Sequence, residues 1–332
     1  MDLLMDLVSR LLTLMPVTGT LDTHCQFGAA WRIDGRATVG REIAWHVLLS
    51  GTAILEDDDG PLVRMEAGDV VLFPAGRAHV LHDGSGKAAS APIFIQEAGF
   101  GVARNGSDSA SGAAAELLCG RFLLPSAPRQ LLREYLPERV LVRGRSLTSV
   151  LPVDDQLARV IQLMHEEVAR RRPGCKAVIN HLCGALFVLA LRFASNDLDA
   201  PRSLLALTNQ PHLRPAIDAM FDEPSKPWTL PDLAALCRQS RATFMRNFNE
   251  ASGRSASDLL MEIRMAIAAR CLAQTELTIG TIGMEVGYWS KAAFHRAFKR
   301  YAGVTPAQWR QTYADEHPAS RRTMIRQEVA SA

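Results

Sequence analysis

The strongest constraint on this chain is a nine-residue pattern written twice. Ser240-Arg-Ala-Thr-Phe244-Met-Arg246-Asn-Phe248 recurs as Ser290-Lys-Ala-Ala-Phe294-His-Arg296-Ala-Phe298, and Gly253 is matched by Gly303. Upstream, Leu230, Leu233 and Ala234 correspond to Ile279, Ile282 and Gly283, with one extra residue in the turn of the second copy. Each copy predicts a short apolar helix, a tight turn, a serine N-cap and a second helix.

The second helix of each copy has two faces. Phe244 and Phe248, like Phe294 and Phe298, lie four apart and pack inward. Ala242, Met245, Arg246 and Asn249 share another face, matched by Ala292, His295, Arg296 and Lys299. Arginine beside small side chains suits a DNA major groove, because Arg bonds guanine edges bidentately and small neighbours permit close approach. A capped helix over residues 255–273 carries Leu260, Ile263, Ile267 and Cys271 toward both units. It would hold the two reading helices about one DNA turn, ~34 Å, apart. One such helix pair would be read most simply as the core of an α-bundle; two matched copies weigh against that. Charge agrees: residues 238–310 hold eleven Lys/Arg against five Asp/Glu, whereas the whole chain is only +2. A basic segment on a near-neutral chain points to a polyanionic partner.

These residues carry a family resemblance. Residues 230–311 resemble the DNA-binding domain of the AraC/XylS transcription regulators, most specifically through Ile279, Ile282-Gly283, Val286-Gly287-Tyr288, Ser290, Phe294, Arg296, Phe298-Lys299-Arg300, Gly303, Thr305-Pro306 and Trp309-Arg310. The resemblance implies base reading by Arg241, Ala242, Met245 and Arg246 and by Lys291, Ala292, His295 and Arg296. It gives Ser240, Ser290 and Arg300 to phosphates. Ala256 stands where Pro306 stands in the second copy, a departure in the trailing turn. The implied partners are promoter DNA and, for an activator, RNA polymerase; activation is favoured over repression by resemblance alone.

Residues 21–124 read as β-structure. Apolar runs at 44–49, 70–73, 93–95 and 117–124 are punctuated by Gly, Pro and Asp. Residues 83–115 hold two Gly/Ser/Ala-rich patches around a short strand and are expected to be a mobile insertion. A helical section follows: Leu157, Val160, Ile161, Met164 and Val168 mark one helix, and residues 176–194 a second. Their apolar surface would serve a homodimer or pack on their own domain.

Gly68-Asp69-Val-Val-Leu-Phe-Pro74-Ala-Gly76-Arg-Ala-His79 resembles the second motif of the cupin barrel, with Asp83 in place of its terminal Asn. Cupin enzymes hold iron or manganese with three or four ligands, such as two His and a carboxylate. No His-x-His stands where the first motif belongs; only His46 and Glu56 are near, and His82 flanks the second motif. A metal-dependent cupin oxygenase is therefore disfavoured. No enzyme, catalytic residue or cofactor is expected, and His46, His79 and His82 remain weak candidates for a small ligand or metal.

A narrower resemblance spans the N-terminal half. Leu7-Val-Ser-Arg-Leu-Leu12, Gly19-Thr-Leu-Asp22, Cys25, Trp31, Trp45-His46, the 68–79 segment and Cys119-Gly120 resemble the sensor of AraC-family regulators that respond to reactive chlorine species. That resemblance implies a switch by oxidation of Cys25 and Cys119. From the residues alone, Cys25 follows His24, whose positive form would favour a thiolate. Cys119 ends an apolar run and reads as a buried strand thiol. Ligand sensing in the barrel stays open as the alternative. Cys175, Cys183, Cys237 and Cys271 fall on helical patterns and read as packing residues.

The expected class is α+β: an N-terminal cupin-like β-barrel (residues 1–125), a helical connector or dimerisation region (126–210), an all-α domain with two helix-turn-helix units (211–312) and a flexible tail (313–332). The N-terminus lacks the basic start of a secretory signal. The most apolar run, residues 182–191, is about half a bilayer span. The six cysteines have no zinc spacing. A cytoplasmic chain without a membrane partner is expected.

Overall fold

The structure is a computed structural model that describes residues 6–28, 30–38, 41–57, 60–106, 114–124, 136–144, 155–195 and 205–316. The chain forms two compact units: one of residues 16–124 and 133–201, the other of residues 1–15, 125–132 and 202–332.

Alternating apolar and polar residues build the strands of the first unit: β1 (Thr18–Phe27), β2 (Arg32–Gly35), β3 (Glu42–Ser50), β4 (Thr52–Asp57), β5 (Val63–Glu66), β6 (Val70–Phe73), β7 (His79–His82), β8 (Ile93–Glu97), β9 (Phe100–Asn105), β10 (Ala115–Leu123) and β11 (Val140–Val142). A seven-stranded sheet has the order β11-β6-β3-β10-β1-β9-β8, and a four-stranded sheet the order β2-β7-β4-β5. Leu48, Phe73 and Leu117 from the first and Leu55, Met65 and Leu81 from the second share one buried core. Each such side chain contributes roughly 1.5–3 kcal/mol on burial.

The region expected as a mobile insertion is ordered where it is described. β8 and β9 form a hairpin, and β9 pairs in parallel with β1, from Thr23↔Gly101 to Phe27↔Asn105. The sequence reading missed β9 because its apolar content is carried by small residues, Gly101, Val102 and Ala103, all buried by neighbouring strands. The intervening patch 107–113 lies outside the described residues.

Among the described residues, this unit also holds the helices α2 (Gln156–Arg170) and α3 (Cys175–Ser195). Asp155 caps α2 by accepting from the Ala158 N–H. α3 is apolar over much of its circumference, and one side of it packs on the sheet. Phe187 meets Phe122 of β10 at 4.8 Å between ring centroids, and Cys183 sits against the bare backbone of Gly19. Packing on the sheet accounts for part of the hydropathy of α3, which by length and composition would suffice to cross a membrane.

The second unit is helical: α1 (Leu7–Leu14), a 3₁₀ turn (Leu205–Asn209), α4 (Arg214–Asp222), α5 (Leu230–Leu236), α6 (Arg241–Ser252), α7 (Ala256–Gln274), α8 (Ile279–Glu285), α9 (Lys291–Ala302) and α10 (Pro306–Glu316). α1 belongs here and not to the barrel: Arg10 bonds Asp222 at 2.6 Å and Arg270 donates to the Thr13 carbonyl. The tail beyond residue 316 lies outside the described residues.

Candidate functional site

The repeat folds as its residues dictate. α5 starts in a capping box, with Thr229 and Asp232 each satisfying the other's backbone N–H. Ser240 and Ser290 cap α6 and α9 by accepting from Thr243 and Ala293. Gly253 and Gly303 end these helices in the left-handed region. Between the helices of each pair, Arg238 (φ 53°) and Gly287 (φ 83°) hold equivalent left-handed positions. Their successors close the same backbone bond, Gln239 N–H to Ala234 O and Tyr288 N–H to Gly283 O. The extra residue of the second turn is Trp289, which is 91% exposed.

Phe244, Phe248, Phe294 and Phe298 are buried, and the opposite faces are open. Arg241, Ala242, Met245 and Arg246 are exposed on α6, as are Lys291, Ala292, Arg296 and Arg300 on α9. Ser240 and Ser290 are exposed at the caps. His295 differs: it is half-buried, edge-on to Phe294, and its Nε2 has no partner. Sequence reasoning missed Trp289; its signal was the length mismatch between the two turns.

In the barrel, strand register brings together residues that the sequence leaves far apart. Cys119 pairs with Thr23 of β1 on one side and with His46 of β3 on the other. Cys25 is two residues from Thr23, so it shares the Cys119 face as a diagonal neighbour. The two sulfurs lie 3.9 Å apart, and His46 Nδ1 lies 3.1 Å from Cys119 Sγ. From the other sheet, His79 Nε2 meets His46 Nε2 at 2.7 Å, while its Nδ1 lies 3.2 Å from the Arg77 carbonyl. Phe73 stacks on the His79 ring at 3.6 Å.

The protons follow from the far end of this chain. The Arg77 carbonyl only accepts, so His79 Nδ1 donates and its Nε2 accepts. His46 Nε2 then donates, leaving His46 Nδ1 to accept from the Cys119 thiol. Burial, with His79 alongside, pushes His46 down to about 3. Burial lowers His79 as well, opposed by the Arg77 carbonyl and by Asp57. The Cys25 thiol and burial push Cys119 well above the ordinary thiol range. At rest the cluster is neutral.

His24 does not act on Cys25. Successive strand residues face opposite ways, so His24 points away and bonds Glu116 at 2.6 Å. His165 of α2 reaches the same carboxylate at 3.3 Å. Burial would raise Glu116, yet the bonds from His165 and His24 hold it far below the carboxylate range. His82 is likewise outside the cluster, 3.1 Å from Glu56 on the outer face of β7. Among the described residues, no group of three or more His, Cys, Asp or Glu is arranged to hold a metal. A cleft of about 490 Å³ opens beside His79, lined by Arg32, Asp34, Arg36, Glu56 and Asp57.

Comparison with known proteins agrees with both halves. Residues 6–194, more than half the chain, match the family described as Cupin, and residues 233–312 match the one described as Helix-turn-helix domain. The chain is 29% identical over 312 residues to the RCS-specific HTH-type transcriptional activator RclR of Escherichia coli K12, covering 92% of this chain and 98% of that one. It is 29% identical over 312 residues to the HTH-type transcriptional regulator MtrA of Neisseria gonorrhoeae, again covering 92% and 98%. An HTH-type regulator of Haemophilus influenzae is 26% identical over 309 residues, covering 93% and 99%. The chain belongs to the cupin family and, by its paired helix-turn-helix units, to the AraC-type transcription regulators.

Proposed function

We propose that this regulator is a sequence-specific activator whose barrel senses oxidants through Cys25 and Cys119. The observation that carries the reading is the 3.9 Å contact between the two sulfurs in a sheet core. Two thiols at that separation need only a small strand adjustment to reach the ~2.05 Å of a disulfide. RclR, named RCS-specific, supports reactive chlorine as the oxidant class. In the reader unit, Arg241, Ala242, Met245, Arg246, Lys291, Ala292, His295 and Arg296 meet base edges. Ser240, Ser290 and Arg300 meet phosphates of promoter DNA, with Trp289 beside them. RNA polymerase is the further partner of an activator. A homodimer is supported by the exposed Leu163, Val178 and Phe193 of α2 and α3, and a cytoplasmic location by the promoter DNA it would bind.

The test is in-vitro transcription from the regulator's own upstream region, with and without dilute hypochlorite. Oxidant should raise transcript in wild type, and Cys25→Ala or Cys119→Ala should abolish the rise while leaving DNA footprints intact. A wild type that footprints but ignores oxidant would end the redox reading. The cleft beside His79 favours a second reading, recognition of a small polar ligand, which a thermal shift in the presence of that ligand would reveal.

A further inference from the structure

Two hydrogen bonds in series connect the Cys119 sulfur to His79 at the edge of the cleft, 3.1 Å to His46 and 2.7 Å from His46 to His79, and a third of 3.2 Å anchors His79 to the Arg77 carbonyl. We propose that His46 and His79 form a proton relay that takes the Cys119 proton as that thiol is oxidised and delivers the positive charge to His79 at the cleft. The inference rests on the thiol-switch reading above and assigns the two histidines a role within it.

The direction of the relay follows from its surroundings. Cys119 is the more accessible of the two thiols, and Cys25 is buried in the core. Cys119 faces Cys25 and His46, with Asp22 nearby held by Arg121 at 2.7 Å. Among the described residues, His46 meets Cys119, His79 and the Phe73 ring. His79 faces His46, the Arg77 carbonyl and Asp57, which is paired with Arg139. A cation is therefore least tolerated on His46 and best tolerated on His79. Concerted transfer meets that requirement: the Cys119 proton moves to His46 Nδ1 while the His46 Nε2 proton moves to His79 Nε2. His46 stays neutral throughout.

The chemistry balances with hypochlorous acid or a chloramine as the oxidant. Cys119 Sγ attacks chlorine, forming S–Cl and breaking Cl–O, or Cl–N in a chloramine. The departing hydroxide or amide anion recovers a proton equivalent to the one released from His79 through the cleft. Cys25 Sγ then attacks Cys119 Sγ. The S–S bond forms, S–Cl breaks, chloride leaves with the electron pair, and the Cys25 proton goes to water. Two thiols are oxidised and one chlorine(I) is reduced to chloride.

Gly35 gives this relay a second handle. A Cβ at Gly35 would collide with the His79 ring at Nε2, Cε1 and Cδ2, so the bare backbone is what seats that imidazole. Gly35→Ala keeps both histidines and displaces one of them. His79→Phe keeps a ring for Phe73 to stack on and removes the proton acceptor.

The experiment uses the full chain, taurine chloramine, timed alkylation and mass spectrometry of the Cys25–Cys119 peptide pair between pH 6 and pH 9. Wild type should oxidise at a rate nearly independent of pH. His46→Gln, His79→Phe and Gly35→Ala should each be slowed at least tenfold at pH 6–7, the deficit shrinking as hydroxide replaces the relay. Equal rates and equal pH profiles in wild type and all three variants would overturn the relay while leaving the thiol switch standing. A wild type that never forms the pair would instead remove the switch, and the relay with it. Native near-ultraviolet dichroism identifies which variants have kept the barrel, and the folded ones decide.

Discussion

Cys25 and Cys119 touch across adjacent antiparallel strands although 94 positions separate them in sequence. A bond between them would close a long loop of the unfolded chain, which typically stabilises by about 2–4 kcal/mol. Stoichiometric hypochlorite should therefore raise the denaturant midpoint of the barrel transition in wild type. Cys25→Ala, given the same treatment, should show no rise. An unchanged wild-type midpoint despite a confirmed disulfide would mean that the barrel spends the gain on strain.

How much of this was legible beforehand differs between the halves. The reader could be read residue by residue, because helix caps, phenylalanine spacing and turn residues act over short stretches. Ser240, Phe244 and Gly253 specify α6 almost unaided. In the barrel, strand existence was readable but partnership was not. Nothing local says that β10 lies between β1 and β3, and that placement is what puts Cys119 between Cys25 and His46. The reading of His24 as the neighbour that activates Cys25 failed for the same reason: adjacency in sequence is separation across a sheet.

His46 makes the barrel acid-sensitive. Its folded-state pKa of about 3 lies below the unfolded value of about 6.5. Below that unfolded value the unfolded chain binds a proton that the folded chain refuses, so stability falls as pH drops from about 6.5 toward 3. The slope approaches about 1.4 kcal/mol per pH unit. Denaturant titrations at pH 7, 6 and 5 should show the loss, and His46→Gln should flatten it. Glu116 adds its own loss only at lower pH, where its carboxylate is forced to protonate.

The bond from His165 to Glu116 has the opposite sign. It raises the folded-state pKa of His165, so its contribution is full below the unfolded value and disappears as pH rises through the folded one. His165 is 41% exposed, which screens the pair and keeps the effect below about 1 kcal/mol. His165→Ala should destabilise the barrel at pH 6 and scarcely at pH 9. A loss of equal size at both values would show that the imidazole acts by packing alone.

The two reading helices should be separable by sequence as well as by strength. Arg246 and Arg296 occupy matching exposed positions on α6 and α9, each nearly two helical turns beyond a serine cap. Replacing either by alanine should cost roughly 1–3 kcal/mol at the cognate site and relax base preference in only one half of it. Ser290→Ala should act differently, loosening α9 by about 1 kcal/mol through its lost cap without changing which bases are preferred. Trp289 stands outside the repeat and beside that cap, and the difference in emission between the protein and its Trp289→Phe variant isolates it from the other four tryptophans. It should be quenched or blue-shifted by cognate DNA, and Arg296→Ala should raise the DNA concentration required. Binding curves on randomised half-sites separate these effects: an Arg296→Ala protein equally weakened on cognate and random duplexes would mean that this arginine holds phosphate and reads no base.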